Sequence, residues 1–256
     1  MLAETIHSFS DCGNQLLLLL GLHQAAKRPD ASHPLGYGRS LYFWSFMVAL
    51  LLFLAGGVFS IYEGIHKMMS PEPVERVWIG VVILLISMAI EGAATIGNVV
   101  EMNRRRGDQP FLAYLRATKD SDLIVVFGEN AAAVVGLFFA LLALLVSALT
   151  EDGRWDGAGS FAVGLVLVNV AIFLAIEIKS LLVGESADPS IESAARDLAM
   201  ADPRIEAILG IMTLQQGAGE VLVALKVRVG FHLGAEQVCE TINDFDGFVA
   251  NFWRAV

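Results

Sequence analysis

The chain has 256 residues, of which 55% are hydrophobic even with its 24 glycines left out, and its mean hydropathy is +0.62. A soluble domain holds about 45–50% apolar residues with glycine counted and about 25% charged ones, against 17% charged here, so lipid must be part of the solvent. A net charge of −10 excludes the basic face that nucleic acid demands, and Cys12 and Cys239, in unrelated segments, supply no disulfide framework.

Five apolar stretches reach the roughly 20 residues that a membrane-spanning helix needs. They cover residues 3–21, 41–65, 77–100, 123–150 and 160–183. The first is the most polar, with His7, Asp11, Asn14 and Gln15, and no basic leader or cleavage site precedes it. The fourth contains an uncharged run over residues 131–149.

Lys and Arg near helix ends stay cytoplasmic. The linker after the first stretch carries Lys27, Arg28 and Arg39; the one after the third carries Arg104, Arg105, Arg106, Arg116 and Lys119. The turn over residues 151–159 has only Arg154 among three acids. Both basic linkers and the tail are therefore expected in the cytoplasm, with the N-terminus outside.

After Ser186 the texture changes, and Asp188-Pro189 breaks the helical pattern. A short amphipathic helix over 191–200 leads into strand-like segments 205–214 and 220–229, joined by Gln-Gln-Gly-Ala-Gly. In the second, Val221, Val223, Leu225, Val227 and Val229 alternate with a more polar set, the period of a strand with one face inward. Residues 236–256 return to a helical pattern. The expected fold is thus an α-helical membrane protein of five transmembrane helices with a small C-terminal α+β ferredoxin-like domain, dividing into residues 1–185 and 186–256.

Acids inside the membrane spans carry the functional reading, because a charge near a span centre costs about 2.5–3.5 kcal/mol. His7 and Asp11, four apart, put an imidazole and a carboxylate on one helical face, and Asn14 continues that face. Imidazole with carboxylate suits Zn²⁺ and other first-row divalent cations, although a helix end at the interface also tolerates both residues. Glu129 stands beside Asn130 and ahead of three alanines, whose small size lets another helix approach. Glu129 reads as an acid that meets the His7/Asp11 face; the alternative is a lone acid held neutral by a hydrogen bond to a neighbour. Glu63, close to Lys67, reads as an interfacial pair, and Glu91, in mid-helix, as either a structural acid or a proton or gating group. Asp30 and His33 are two candidate ligands where a metal site wants three or four, so the glycines around them read as a bend.

The motifs around these residues resemble those of the cation diffusion facilitators. Glu4-Thr-Ile-His7-Ser8-Phe-Ser-Asp11 is similar to that family's H-S-x-x-D signature, and His33-Pro34-Leu-Gly36-Tyr37-Gly38-Arg39 to its H-P-x-G-x-G-[KR] motif. Ser60-Ile-Tyr62-Glu63-Gly64-Ile65 and Leu181-Leu-Val-Gly184-Glu185-Ser186 resemble two of its helix exits. Val-Val-Phe-Gly-Glu129-Asn130-Ala-Ala looks like the E-D-x-A-A version found in the branch of the ninth zinc transporter. Asn130 stands where that version has a second carboxylate; Val125 or Val126 stands where other members have a histidine.

The resemblance implies six helices in the family against five here, a further strand after the last helix, and a homodimer through the C-terminal domain. It implies transport of a divalent cation, zinc above all, out of the cell by proton antiport, in a multi-pass protein of a bacterial plasma membrane. His7, Asp11, Glu129 and Asn130 are the implied metal residues, the cation being cargo and no cofactor being expected. Asn130, a neutral amide, attracts the cation less and has no proton to exchange. The alternative is a dimeric metal-binding regulatory subunit. No Gly-x-Ser-x-Gly, His-Glu-x-x-His or phosphate-loop pattern points to an enzyme.

Overall fold

The computed structural model describes residues 2–71, 77–230, 234 and 236–237, with side chains from Cys12 onward apart from Ala117. Helix α1 (Leu2–Ala25) is unbroken over 24 residues, a length of about 36 Å at ~1.5 Å per residue. The second span, Ser40–Met69, is one rod in three parts: α2 (Ser40–Leu51), a π-helical segment (Leu52–Val58) and α3 (Phe59–Met69). Then come α4 (Val77–Arg106), a short α5 (Phe111–Ala117), α6 (Ser121–Thr150) and α7 (Arg154–Val183). Among the described residues, four 30-residue spans are long and apolar enough to cross a membrane, and they are the second to fifth predicted ones.

Two boundaries differ from the sequence reading, each for a local reason. Helix α4 runs on to Arg106 because Arg104, Arg105 and Arg106 complement the negative end of its dipole, and Gly107, at φ +56°, then ends it. Helix α7 begins at Arg154, so the turn before it is tighter than the loop expected over 151–159. Glu151 adopts a left-handed conformation (φ 54°), and Asp152 Oδ1 accepts from the Arg154 backbone N–H at 3.0 Å.

In lipid there is little hydrophobic gain in joining two helices, so close approach of backbones must hold them. Glycines seven apart on each helix supply it: Gly57 and Gly64 face Gly164 and Gly157. A Cβ on Gly64 would stand 2.5 Å from the Phe161 nitrogen, and one on Gly164 2.7 Å from the Ile61 nitrogen. The π-helical segment lies at this seam, where it sets the rotation of Gly56 and Gly57 toward α7. At the far end Lys67 Nζ sits 3.0 Å from both Glu63 and Asp156, so Glu63 is the interfacial pair that its spacing suggested.

The opposite end gathers the basic linkers. Arg39 Nη2 donates to the Leu182 carbonyl at 2.8 Å, Lys119 pairs closely with Glu185, and Arg105 bridges Glu101 and Asp120 at 2.8 and 2.9 Å. On this end sit α8 (Pro189–Met200), capped by Asp188, and an antiparallel hairpin of β1 (Ile205–Gly217) and β2 (Glu220–Val229). The hairpin turn is only Ala218-Gly219, with Gly219 at φ +71°; the two glutamines read as loop belong to β1. Along β2 the inward set Val221, Val223, Leu225, Val227 and Val229 is at least half-buried, as the alternation predicted. Gln215 N–H donates to the Glu185 carbonyl at 2.9 Å and Ala187 N–H to Thr213 Oγ1 at 3.2 Å, which ties the hairpin to the exit of α7. The helix expected over 236–256 lies outside the described residues beyond Glu236 and Gln237.

Candidate metal centre

Inside the membrane half, α1, α4 and α6 line an open cavity of about 490 Å³. Cys12 and Gln15 face it from α1, Glu91 from α4, and Glu129 and Asn130 from α6. Helix α6 can present Glu129 there because its other side is small: a Cβ on Gly128 would press on Leu174 of α7 at 3.1 Å, and Ala132 is fully buried. Glu129 is 3% exposed, and its Oε1 accepts from Nδ2 of the wholly buried Asn14 at 2.5 Å. This bond joins α1 to α6 in the membrane interior. The Oδ1 of Asn14 has no hydrogen-bond partner among the described residues.

The sequence-predicted residues fare differently. Glu129 and Asn130 line one cavity, and Glu129 is the one bonded to α1. The side chains of His7 and Asp11 lie outside the described residues; their backbone is helix, seven and three residues ahead of Asn14. Val125 is fully buried and Val126 packs against the same apolar core, so neither offers a ligand. Among the described residues, no three His, Cys, Asp or Glu side chains gather as a metal group. Glu91 lines the cavity as well: α4 carries Glu91, Thr95 and Asn98 at helical spacing, none of them fully exposed, beside the lipid-facing Ile90 and Ile96. That polar stripe in an apolar span was the signal available in the sequence.

The linker site closes on itself. Asp30 Oδ1 accepts from the Ser32 hydroxyl at 2.7 Å and from the Ser32 and His33 backbone N–H groups, while Oδ2 accepts from Tyr37 Oη at 2.7 Å. The Ser32 and Tyr37 hydroxyls hold the Asp30 carboxyl well below the usual carboxylate range, and Asp30 in turn pushes the Tyr37 phenol up. A depressed carboxylate supports its folded form above its ordinary pKa and loses that support as the pH falls below it. Tyr37→Phe is therefore expected to raise the Asp30 pKa toward about 3.9, read by carboxyl ¹³C shifts against pH; an unchanged titration would refute the contact. Asp30 and His33 make a bend, as their number suggested.

The family model for the cation efflux transmembrane domain matches residues 1–183. This chain belongs to the cation efflux family. Among its relatives, the "Proton-coupled zinc antiporter SLC30A9, mitochondrial" of Homo sapiens is 32% identical over 90% of this chain and 41% of its own length. "Metal tolerance protein C4" of Arabidopsis thaliana is 30% identical over 73% of this chain and 42% of its own. "Zinc transporter ZitB" of Pectobacterium atrosepticum is 26% identical over 85% and 63% respectively. This cation efflux chain thus spans about two fifths of the length of the first two relatives. The antiporter's name agrees with the branch suggested by Glu129-Asn130-Ala-Ala. The comparisons show a multi-pass membrane protein; with mitochondrial and plant proteins among the relatives, they give the expected bacterial plasma membrane no support.

Proposed function

We propose that residues 1–185 form the transport unit of a divalent-cation carrier, with zinc as cargo and protons moving the other way. The observation that carries this reading is the Asn14–Glu129 hydrogen bond, which seats α1 against α6 inside the membrane beside a cavity that two carboxylates line. By helical period His7 and Asp11 share the Asn14 face of α1. An imidazole, two carboxylates and the neutral amide of Asn130 form the three-to-four-ligand nitrogen and oxygen set that zinc accepts. Carboxylates protonated in the empty site must release those protons as metal binds, which couples the two fluxes. The names of the relatives, a proton-coupled zinc antiporter and a zinc transporter, support zinc.

The backbone seam of α3 and α7 makes one stiff pair, against which α1, α4 and α6 rock to open the cavity to either side. The basic end faces the cytoplasm by its Lys and Arg, and residues 186–256 form the cytoplasmic domain there. Leu209 and Met212, 51% and 65% exposed on β1, support its pairing with a second copy. Asp11→Ala is expected to reduce zinc flux in proteoliposomes to the level of empty vesicles. Full retained flux would remove the proposed site.

A further inference from the structure

We infer that Glu91 of α4 is a specificity-determining carboxylate of this same cavity, restoring on a third helix the negative charge that Asn130 does not supply on α6. The inference rests on the transport reading above.

Helix α4 is the span least covered by protein, with Trp78, Ile86, Ile90 and Ile96 all exposed on its outer side. A carboxylate on that side would face hydrocarbon, at a cost of about 2.5–3.5 kcal/mol. Glu91 is instead turned inward, half-buried, onto the cavity lined by Glu129 and Asn130. Two carboxylates facing one space in a low-dielectric medium cannot both be ionised unless a cation joins them, so there protons and a divalent cation compete for the same oxygens. The second sign of a ligand is Asn14: wholly buried, bonded to Glu129 through Nδ2, with its Oδ1 lacking a donor among the described residues. An orphaned amide oxygen in the membrane interior costs about 1–3 kcal/mol, and a cation at the Glu129 edge of the cavity offsets that cost.

The chemistry of the set also bears on the cargo. Glu91, Glu129, Asn130 and Gln15 line the cavity with oxygen, and oxygen-rich sets admit hard divalent cations such as Mn²⁺ as well as Zn²⁺. The Cys12 thiol on the α1 side of the cavity is a softer donor, which favours Zn²⁺. Removing one carboxylate should therefore hurt manganese more than zinc.

The test uses the full chain in proteoliposomes, with Zn²⁺ or Mn²⁺ as the probe, comparing wild type, Glu91→Gln and Glu91→Asp. In Glu91→Gln, the half-saturating concentration should rise roughly tenfold or more for Mn²⁺ and by less for Zn²⁺. Glu91→Asp should restore most of the manganese affinity, which a merely structural role would not do. Calorimetric titration of the same metals into the purified variants reads affinity even where flux is low. A Glu91→Gln protein with wild-type affinity for both metals overturns this inference alone. Wild-type protein that moves neither metal removes the transport reading, and this inference with it.

Discussion

Gly64→Leu is expected to separate α3 from α7 and to cost about 3 kcal/mol or more of stability. The reason is that a Cβ at position 64 would meet backbone: the Phe161 nitrogen at 2.5 Å, with the Gly157 oxygen and the Phe161 Cα at 2.8 Å each. A side chain can swing away from an intruder, but a helix backbone can only be displaced whole. Moving α7 outward would also pull Asp156 from Lys67 and open the facing contact at Gly164. Gly92→Leu is the matched control, since nothing lies within 4 Å of a Cβ there. Thermal unfolding in detergent should show a large drop for Gly64→Leu and little change for Gly92→Leu. Equal midpoints would mean that the glycine seam does not hold the pair.

The second large effect is functional. Glu129→Ala deletes the acceptor of the buried Asn14 amide. Leaving that amide unpaired costs about 1–3 kcal/mol, and polar contacts between membrane helices average only about 0.6 kcal/mol. The protein should therefore still fold, with a moderate fall in its unfolding midpoint. Zinc flux, by contrast, should vanish, because one of the carboxylates that neutralise the cation is gone. A variant that melts like wild type and transports nothing would place Glu129 wholly in function; one that transports normally would remove it from the site.

Helices two to five were legible in the sequence because each is a long apolar run, and lipid leaves the backbone no alternative to helix. Their ends were less so, since Arg104, Arg105 and Arg106 read as linker while they extend α4 as dipole partners. The glycine seam was hidden, because Gly57, Gly64, Gly157 and Gly164 pair only once two distant helices meet. At the site, Glu129 stood out as an acid beside small residues. Its bond to Asn14 could not be read from either helix, although Asn14 lay on the face marked by His7 and Asp11. Glu91 read as either a structural acid or a proton or gating group; its place on the cavity depends on which side of α4 faces α6 and which faces lipid. Tyr37 gave no hint in its spacing that it would hold Asp30.

The most direct test of the account is calorimetric titration of Zn²⁺ into the purified full chain, wild type against Glu129→Gln, which keeps the shape of the side chain. The account predicts saturable binding to wild type and a loss of roughly tenfold or more in affinity in the variant. Equal affinity in the two proteins would contradict it.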